Sequence, residues 1–137
     1  MKLFWMLIRR GPISMSAAML VFLFSLGAAN AGVPQPINID SSKGRLTGTL
    51  MWTGPSSFEL RDMRLTDTSC DSQPVFFSAS FNGHDGPQRA NNSGCKSTTT
   101  FPTLKGGDTS PISALTINVC RATSVPECDK LLFAPVE

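Results

Sequence analysis

Short segments in which apolar and polar residues alternate are the feature that most restricts the fold of this chain. From Val75 to Phe81 the odd-numbered residues are all apolar, and Gly44–Trp52 and Ser113–Val119 show the same period. A period of two residues is that of a β-strand with one buried face. Because no segment has the 3.6-residue period of a convincing amphipathic helix, the chain is predicted to be all-β.

Turn-forming residues separate about seven such segments, for example at Thr53–Ser56 and just before Pro74. This spacing is typical of an antiparallel β-sandwich of the Ig-like or Greek-key type, and a small β-barrel is the alternative. Two segments rich in glycine and polar residues, Asn82–Gly94 and Thr103–Pro111, are predicted to be loops.

The segment SFELRDMRL breaks the regular alternation. Phe58 and Leu60 share one parity along the chain. Met63 and Leu65 share the other, so a regular strand cannot bury both pairs on one face. A β-bulge near Arg61–Asp62 restores the register and is the preferred interpretation, with a short helix as the alternative.

Aromatic residues are interpreted as core residues. The chain contains nine phenylalanines and no tyrosine. Trp52 has the same parity as Leu46 and Leu50 in the first alternating strand. We therefore predict a buried Trp52 rather than an exposed platform for a ligand.

The N-terminus has the layout of a secretory signal peptide. Three basic residues, Lys2, Arg9 and Arg10, precede an apolar run of 13 residues, Ala17–Ala29. The small residues Ala29 and Ala31 then suit a cleavage site. The run is shorter than the ~20 residues of a membrane-spanning helix, so cleavage after Ala31 is favoured over an uncleaved anchor. The expected location is secreted or periplasmic.

This interpretation divides the chain into a signal peptide (1–31), a linker or irregular strand (32–43) and one disulfide-braced β domain (44–137). Three of the 12 basic residues lie in the signal peptide, which leaves nine against ten acidic residues. A domain without a basic surplus gives no reason to expect a nucleic acid as partner. After the signal peptide no apolar stretch reaches membrane-spanning length, so no membrane contact is expected.

The four cysteines are expected to form two disulfides, because thiols oxidise in an exported protein. Their separations of 25, 25 and 8 residues fit neither a zinc site nor a C-x-x-C redox motif. Of three possible pairings, Cys70–Cys95 with Cys120–Cys128 is the most local. In the second pair, seven intervening residues allow two antiparallel strands to place both sulfurs near the mouth of a hairpin.

Catalytic and metal-binding motifs are weak throughout the chain. His84 and Asp85 are the one imaginable general-base pair, but adjacent residues in a strand or turn usually point apart. No nucleophile motif surrounds any serine, and no calcium loop is present. We therefore assign no catalytic residue, metal or cofactor.

Three stretches resemble small secreted bacterial β-proteins with four cysteines: TDTSCDSQPVFFSASF, NNSGC and ISALTINVCRA followed by a last cysteine. The resemblance covers roughly Gly44–Phe133. It implies secretion and a β fold, but no activity and no site residues.

The functional expectation is a non-enzymatic binding module for an unknown protein or glycan. The polar segment Asn82–Gly94 is expected to be the binding loop, with His84, Arg89, Asn91 and Asn92 as contact residues, because functional contacts concentrate on loops held by rigid scaffolds. A small hydrolase using His84 and Asp85 is one alternative. The other is an enzyme inhibitor that presents the loop closed by Cys120–Cys128.

Overall fold

The computed structural model describes residues 32–136, which form nine β-strands and no helix. The predicted signal peptide lies outside the described residues. The strands are β1 (Pro34–Asp40), β2 (Gly44–Gly54), β3 (Ser57–Asp67), β4 (Val75–Phe81), β5 (His84–Asn91), β6 (Thr98–Thr100), β7 (Leu104–Gly107), β8 (Leu115–Arg121) and β9 (Glu127–Phe133).

The strands form two antiparallel sheets. In the first sheet the order is β1-β2-β3-β6, with β7 also paired to β3, and in the second the order is β5-β4-β8-β9. The chain crosses between the sheets after β3, after β5 and after β7. The two sheets are not closed into a barrel, so the prediction of an all-β sandwich is confirmed.

The core lies between the two sheets and is built by the alternation seen in the sequence. Along β4, for example, Val75, Phe77 and Ala79 are fully buried, whereas the residues between them are half-exposed. Trp52 is buried as predicted, with 2% of its surface exposed, and its Nε1 donates to Gln35 Oε1 at 3.2 Å. The only polar atom of the indole ring is thus hydrogen-bonded.

The bulge predicted in β3 is confirmed. Arg64 pairs with Thr47 and Arg61 with Thr49, so two residues of β3 stand opposite the single Gly48 of β2. The extra residue is Asp62, whose φ is +53°. A Cβ at Gly48 would lie 2.3 Å from the sulfur of Met63 and 3.0 Å from the carbonyl oxygen of Arg61, so glycine leaves the room in which Met63 turns inward at the bulge.

The structure contains nine strands instead of about seven, because two segments predicted to be loops, those of β5 and β7, are strands. Pro34–Asp40, predicted to be a linker or an irregular strand, is a regular strand that pairs with β2 at seven consecutive positions. Ile37 and Ile39 provide its buried face, and proline is tolerated there because β1 is an edge strand. Leu104–Gly107, predicted to be a loop, pairs with β3 and buries Leu104.

The prediction of a long loop over Asn82–Gly94 is also wrong. A tight turn at Asn82 and Gly83, both with positive φ, leads directly into β5, which pairs with β4 along most of its length. This edge strand shows no apolar alternation because it covers little of the core. Its backbone hydrogen bonds to β4, rather than apolar burial, hold it in the sheet.

Both predicted disulfides are present, Cys70–Cys95 and Cys120–Cys128. The first links the β3–β4 and β5–β6 connections, two of the three crossings between the sheets. In the second, Cys120 and Cys128 stand directly opposite each other on β8 and β9. The pair therefore closes the last hairpin, as the sequence spacing predicted.

Candidate binding surface

The face of the second sheet that points away from the core carries three cross-strand rows of side chains, which we call the outer face. The register of β5, β4, β8 and β9 defines each row. The rows are Ala90, Phe76, Cys120 and Cys128; then Gln88, Ser78, Asn118 and Lys130; then Asp85, Ser80, Thr116 and Leu132.

A groove of about 390 Å³ lies over the outer face. Residues of all three rows line it, and Pro126 from the β8–β9 turn closes one end of the lining. Its volume falls within the range of about 300–1,000 Å³ that is typical of small-molecule sites. The floor is a four-stranded sheet, so its side chains project from strands rather than from loops.

A bulge in β5 places Asp85 on the outer face. Ser78 pairs with Gln88 and Ser80 with Asp85, so Gly86 and Pro87 together stand opposite the single residue Ala79. Because of this extra residue, Asp85 and Gln88 share a face although their parities differ. A Cβ on Gly86 would lie 2.7 Å from the carbonyl oxygen of Ala79, so the close approach requires glycine.

Hydrogen bonds connect the centre of the outer face. Asn118 Nδ2 donates to Ser78 Oγ at 3.4 Å and to Ser80 Oγ at 3.2 Å, and Ser80 Oγ donates to Asp85 Oδ1 at 3.1 Å. Within residues 32–136, no side-chain hydrogen bond engages Asn118 Oδ1, the Gln88 amide or the Lys130 ammonium. These groups can therefore bind a ligand without first breaking a bond inside the protein.

The first row makes one side of the groove apolar. Phe76 is half-buried and stands beside Cys120, which is only 2% exposed, and the partly exposed Cys128 continues the apolar strip. The groove therefore offers an apolar wall next to a row of donors and acceptors. Polar residues outnumber apolar ones in the lining, so the groove suits a polar ligand that also carries some apolar surface.

His84 and Asp85 point away from each other. Asp85 contacts Ser80 on the outer face. His84, which follows the β4–β5 turn, instead places its Nε2 4.0 Å from Oδ2 of Asp108, the residue after β7. A hydrogen bond from the Asn82 amide, a backbone N–H bond from Thr109 and the nearby His84 together lower the pKa of Asp108 below its usual value. The two residues of the hydrolase hypothesis therefore do not form one pair.

The structure does not bring all four residues predicted to contact a ligand into one site. His84 is two-thirds exposed, and Arg89 is exposed with its guanidinium donating to the carbonyl oxygen of Gln88 at 2.8 Å. Asn92 is exposed and Asn91 is fully buried, and both belong to the lining of a cavity beside the Cys70–Cys95 disulfide. The four do not form a common binding loop, because the segment is a strand whose side chains point to different sides.

A second cavity of about 310 Å³ lies beside the Cys70–Cys95 connection, lined among others by Asp67, Asp71 and Asn92. Its acidic groups are bonded within the protein. Asp67 Oδ1 accepts from the backbone and hydroxyl of Ser69. Burial raises the pKa of Asp71, but hydrogen bonds from the Gln73 N–H and from the Arg121 guanidinium outweigh it and lower the pKa overall. This cavity therefore offers fewer free groups than the outer face.

Residues 32–136 bring together no group of three or more histidine, cysteine or acidic side chains that could hold a metal ion. In the same part of the chain, no helix has the length and apolar character needed to span a membrane. Comparisons with protein families, with curated proteins and with solved structures found no match to this chain. The resemblance to small secreted four-cysteine proteins stays a prediction.

Reasoning from the sequence missed the outer face. The residues that form it, such as Phe76, Ser78 and Asn118, occupy the positions between core residues and carry no recognisable motif. Their only shared feature is that they are the polar residues of an alternating strand. Every half-buried strand has such residues, so the pattern does not identify a binding site. Only the pairing of β4 with β8 shows that these polar halves adjoin.

Proposed function

We propose that the chain is an exported, non-enzymatic binding protein whose ligand contacts the outer face. Two disulfides fit an extracellular or periplasmic location, and the charged n-region, apolar run and small residues of the N-terminus support export. The observation that carries the binding role is the row of free donors and acceptors in a groove on a rigid sheet. A backbone held in a sheet loses little conformational entropy on binding.

Asn118 is the residue whose loss tests this function most directly, because it lies at the centre of the groove and links Ser78 to Ser80. Asn118→Ala is expected to weaken ligand retention about tenfold, since an unmatched polar group costs about 1–3 kcal/mol. Asn38→Ala is the matched control: Asn38 is exposed on β1 in the other sheet. We expect its retention to equal that of the parent.

The measurement uses the full chain, purified after export and immobilised, and exposed to material from the surroundings of the source cells. Retained protein is identified by mass spectrometry and retained carbohydrate by monosaccharide analysis. Fluorescence of the buried Trp52 checks that both variants are folded. Equal retention by the parent and by Asn118→Ala would show that the outer face is not the binding site.

A second candidate function is inhibition of an enzyme by the β8–β9 turn, and one observation favours it. Val125 is 76% exposed at this turn, next to Pro126, and the Cys120–Cys128 disulfide closes the loop. Arg121 braces its base through Asp71 at 3.0 Å and Glu127 at 2.7 Å. In such a loop the exposed side chain of Val125 can enter the specificity pocket of a protease, while the disulfide and the ion pairs hold the backbone in place.

Val125→Asp is expected to abolish inhibition of a serine protease that prefers small apolar side chains, because a carboxylate cannot enter an apolar pocket without losing its hydration. Ser124→Ala, at the neighbouring position in the same loop, is the control and should inhibit like the parent. Residual protease activity in a titration is the readout. If the parent itself leaves proteases and lysozyme fully active, this second function is excluded.

A further inference from the structure

We infer that the ligand of the outer face is a neutral oligosaccharide, an inference that rests on the proposed function. The middle row presents an amide, a hydroxyl, a second amide and an ammonium across four strands: Gln88, Ser78, Asn118 and Lys130. Neighbouring strands lie about 4.8 Å apart, so the row spans about 14 Å, the length of a few linked sugar rings. Sugar hydroxyls both donate and accept, and so can pair with every group in this row.

The charges of the groove favour a neutral ligand. Asp85 on β5 and Lys130 on β9 lie towards opposite edges of the sheet and cancel each other, with uncharged side chains between them. An anionic chain laid across the sheet would meet the Asp85 carboxylate, and a cationic chain would meet the Lys130 ammonium. A neutral polyhydroxyl chain pairs with both, donating to the carboxylate and accepting from the ammonium.

The apolar row complements the other surface of a sugar ring. A pyranose carries hydroxyls around its rim and C–H groups on its faces. Phe76 and Cys128, both partly exposed, provide a surface on which such C–H groups can bury apolar area, directly beside the polar row. The outer face thus has the two kinds of contact that a sugar ring needs, side by side.

The same composition is unfavourable for a protein partner. Cores of protein interfaces are enriched in aromatic residues, methionine and arginine, and depleted in serine, lysine and aspartate. The outer face carries Ser78, Ser80, Asp85 and Lys130, and its one aromatic residue, Phe76, is half-buried. Hydroxyl and amide groups on a rigid sheet suit a small polar ligand better than they suit a broad protein surface.

The test titrates the full exported chain with three neutral probes, cellohexaose, maltohexaose and N-acetylated chitohexaose, and with one acidic probe, hexagalacturonic acid. Calorimetry or saturation-transfer NMR measures binding. We expect at least one neutral probe to bind and the acidic probe to bind at least about tenfold more weakly. Asn118→Ala and Phe76→Ala should each weaken the neutral probe about tenfold, whereas Asn38→Ala should leave it unchanged.

The outcomes separate this inference from the proposed function. In one outcome no neutral probe binds, and the retention experiment yields protein but no carbohydrate. If Asn118→Ala also abolishes the retention of that protein, the outer face is a binding site but its ligand is not an oligosaccharide. Tighter binding of hexagalacturonic acid would overturn the argument from charge. If nothing is retained and no probe binds, the proposed function fails, and the inference fails with it.

Discussion

Replacing Asn91 by alanine is expected to lower the free energy of unfolding by about 3 kcal/mol, since several buried groups lose a partner at about 1–3 kcal/mol each. Asn91 is fully buried at the end of β5. Its Nδ2 donates to the carbonyl oxygens of Leu65 and Ser97, both at 2.9 Å. Its Oδ1 accepts from the Ser93 N–H at 2.9 Å and from Ser97 Oγ at 3.2 Å.

These four bonds use the full capacity of the amide and join β5 to β3 in the other sheet. Asn92→Ala is the matched control, because Asn92 is the exposed neighbour, and its change in stability should stay within about 0.5 kcal/mol. Urea unfolding followed by the fluorescence of Trp52 measures both. A change of less than about 1 kcal/mol for Asn91→Ala would mean that water replaces the amide at little cost.

Replacing Phe58 by alanine is expected to cost about 3–5 kcal/mol, the range for a large aromatic residue removed from a well-packed core. Phe58 is 1% exposed and meets Phe81 of the other sheet edge-to-face, with ring centroids 5.3 Å apart. It also contacts Trp52 at 6.2 Å. A Cβ at Gly106 would lie only 2.2 Å from its ring, so β7 is shaped around this side chain.

The control for Phe58 is Phe76→Ala, the same change on the outer face. Phe76 is half-exposed and contributes no contact between the sheets, so we expect a loss of about 1 kcal/mol. The midpoints of thermal and urea unfolding measure both variants. Equal losses for the two would contradict the position of Phe58 at the centre of the sandwich.

Elements that are encoded by local patterns could be predicted from the sequence. The alternation in β4 identifies its buried face, and the change of parity between Leu60 and Met63 locates the bulge. The short separation of Cys120 and Cys128 predicts the pair that closes the last hairpin. In each case the side-chain period of a strand, or the reach of a short segment, limits the possible arrangements to one or a few.

The identity of β5 and the roles of its residues could be recognised only in the folded protein. β5 has almost no apolar face of its own, so its conformation depends on hydrogen bonds to β4, which no local pattern encodes. For the same reason Asn91, a surface residue by composition, is a buried link between the sheets.

The outer face likewise exists only in the folded protein. Asn118 and Ser78 are 40 residues apart and become neighbours because β4 pairs with β8 across two crossings between the sheets. A bulge at Gly86 and Pro87 places Asp85 on the same face, and no sequence pattern predicted this bulge. A cross-strand row is a property of pairing register, and register between distant strands is set by packing of the whole core rather than by any one segment.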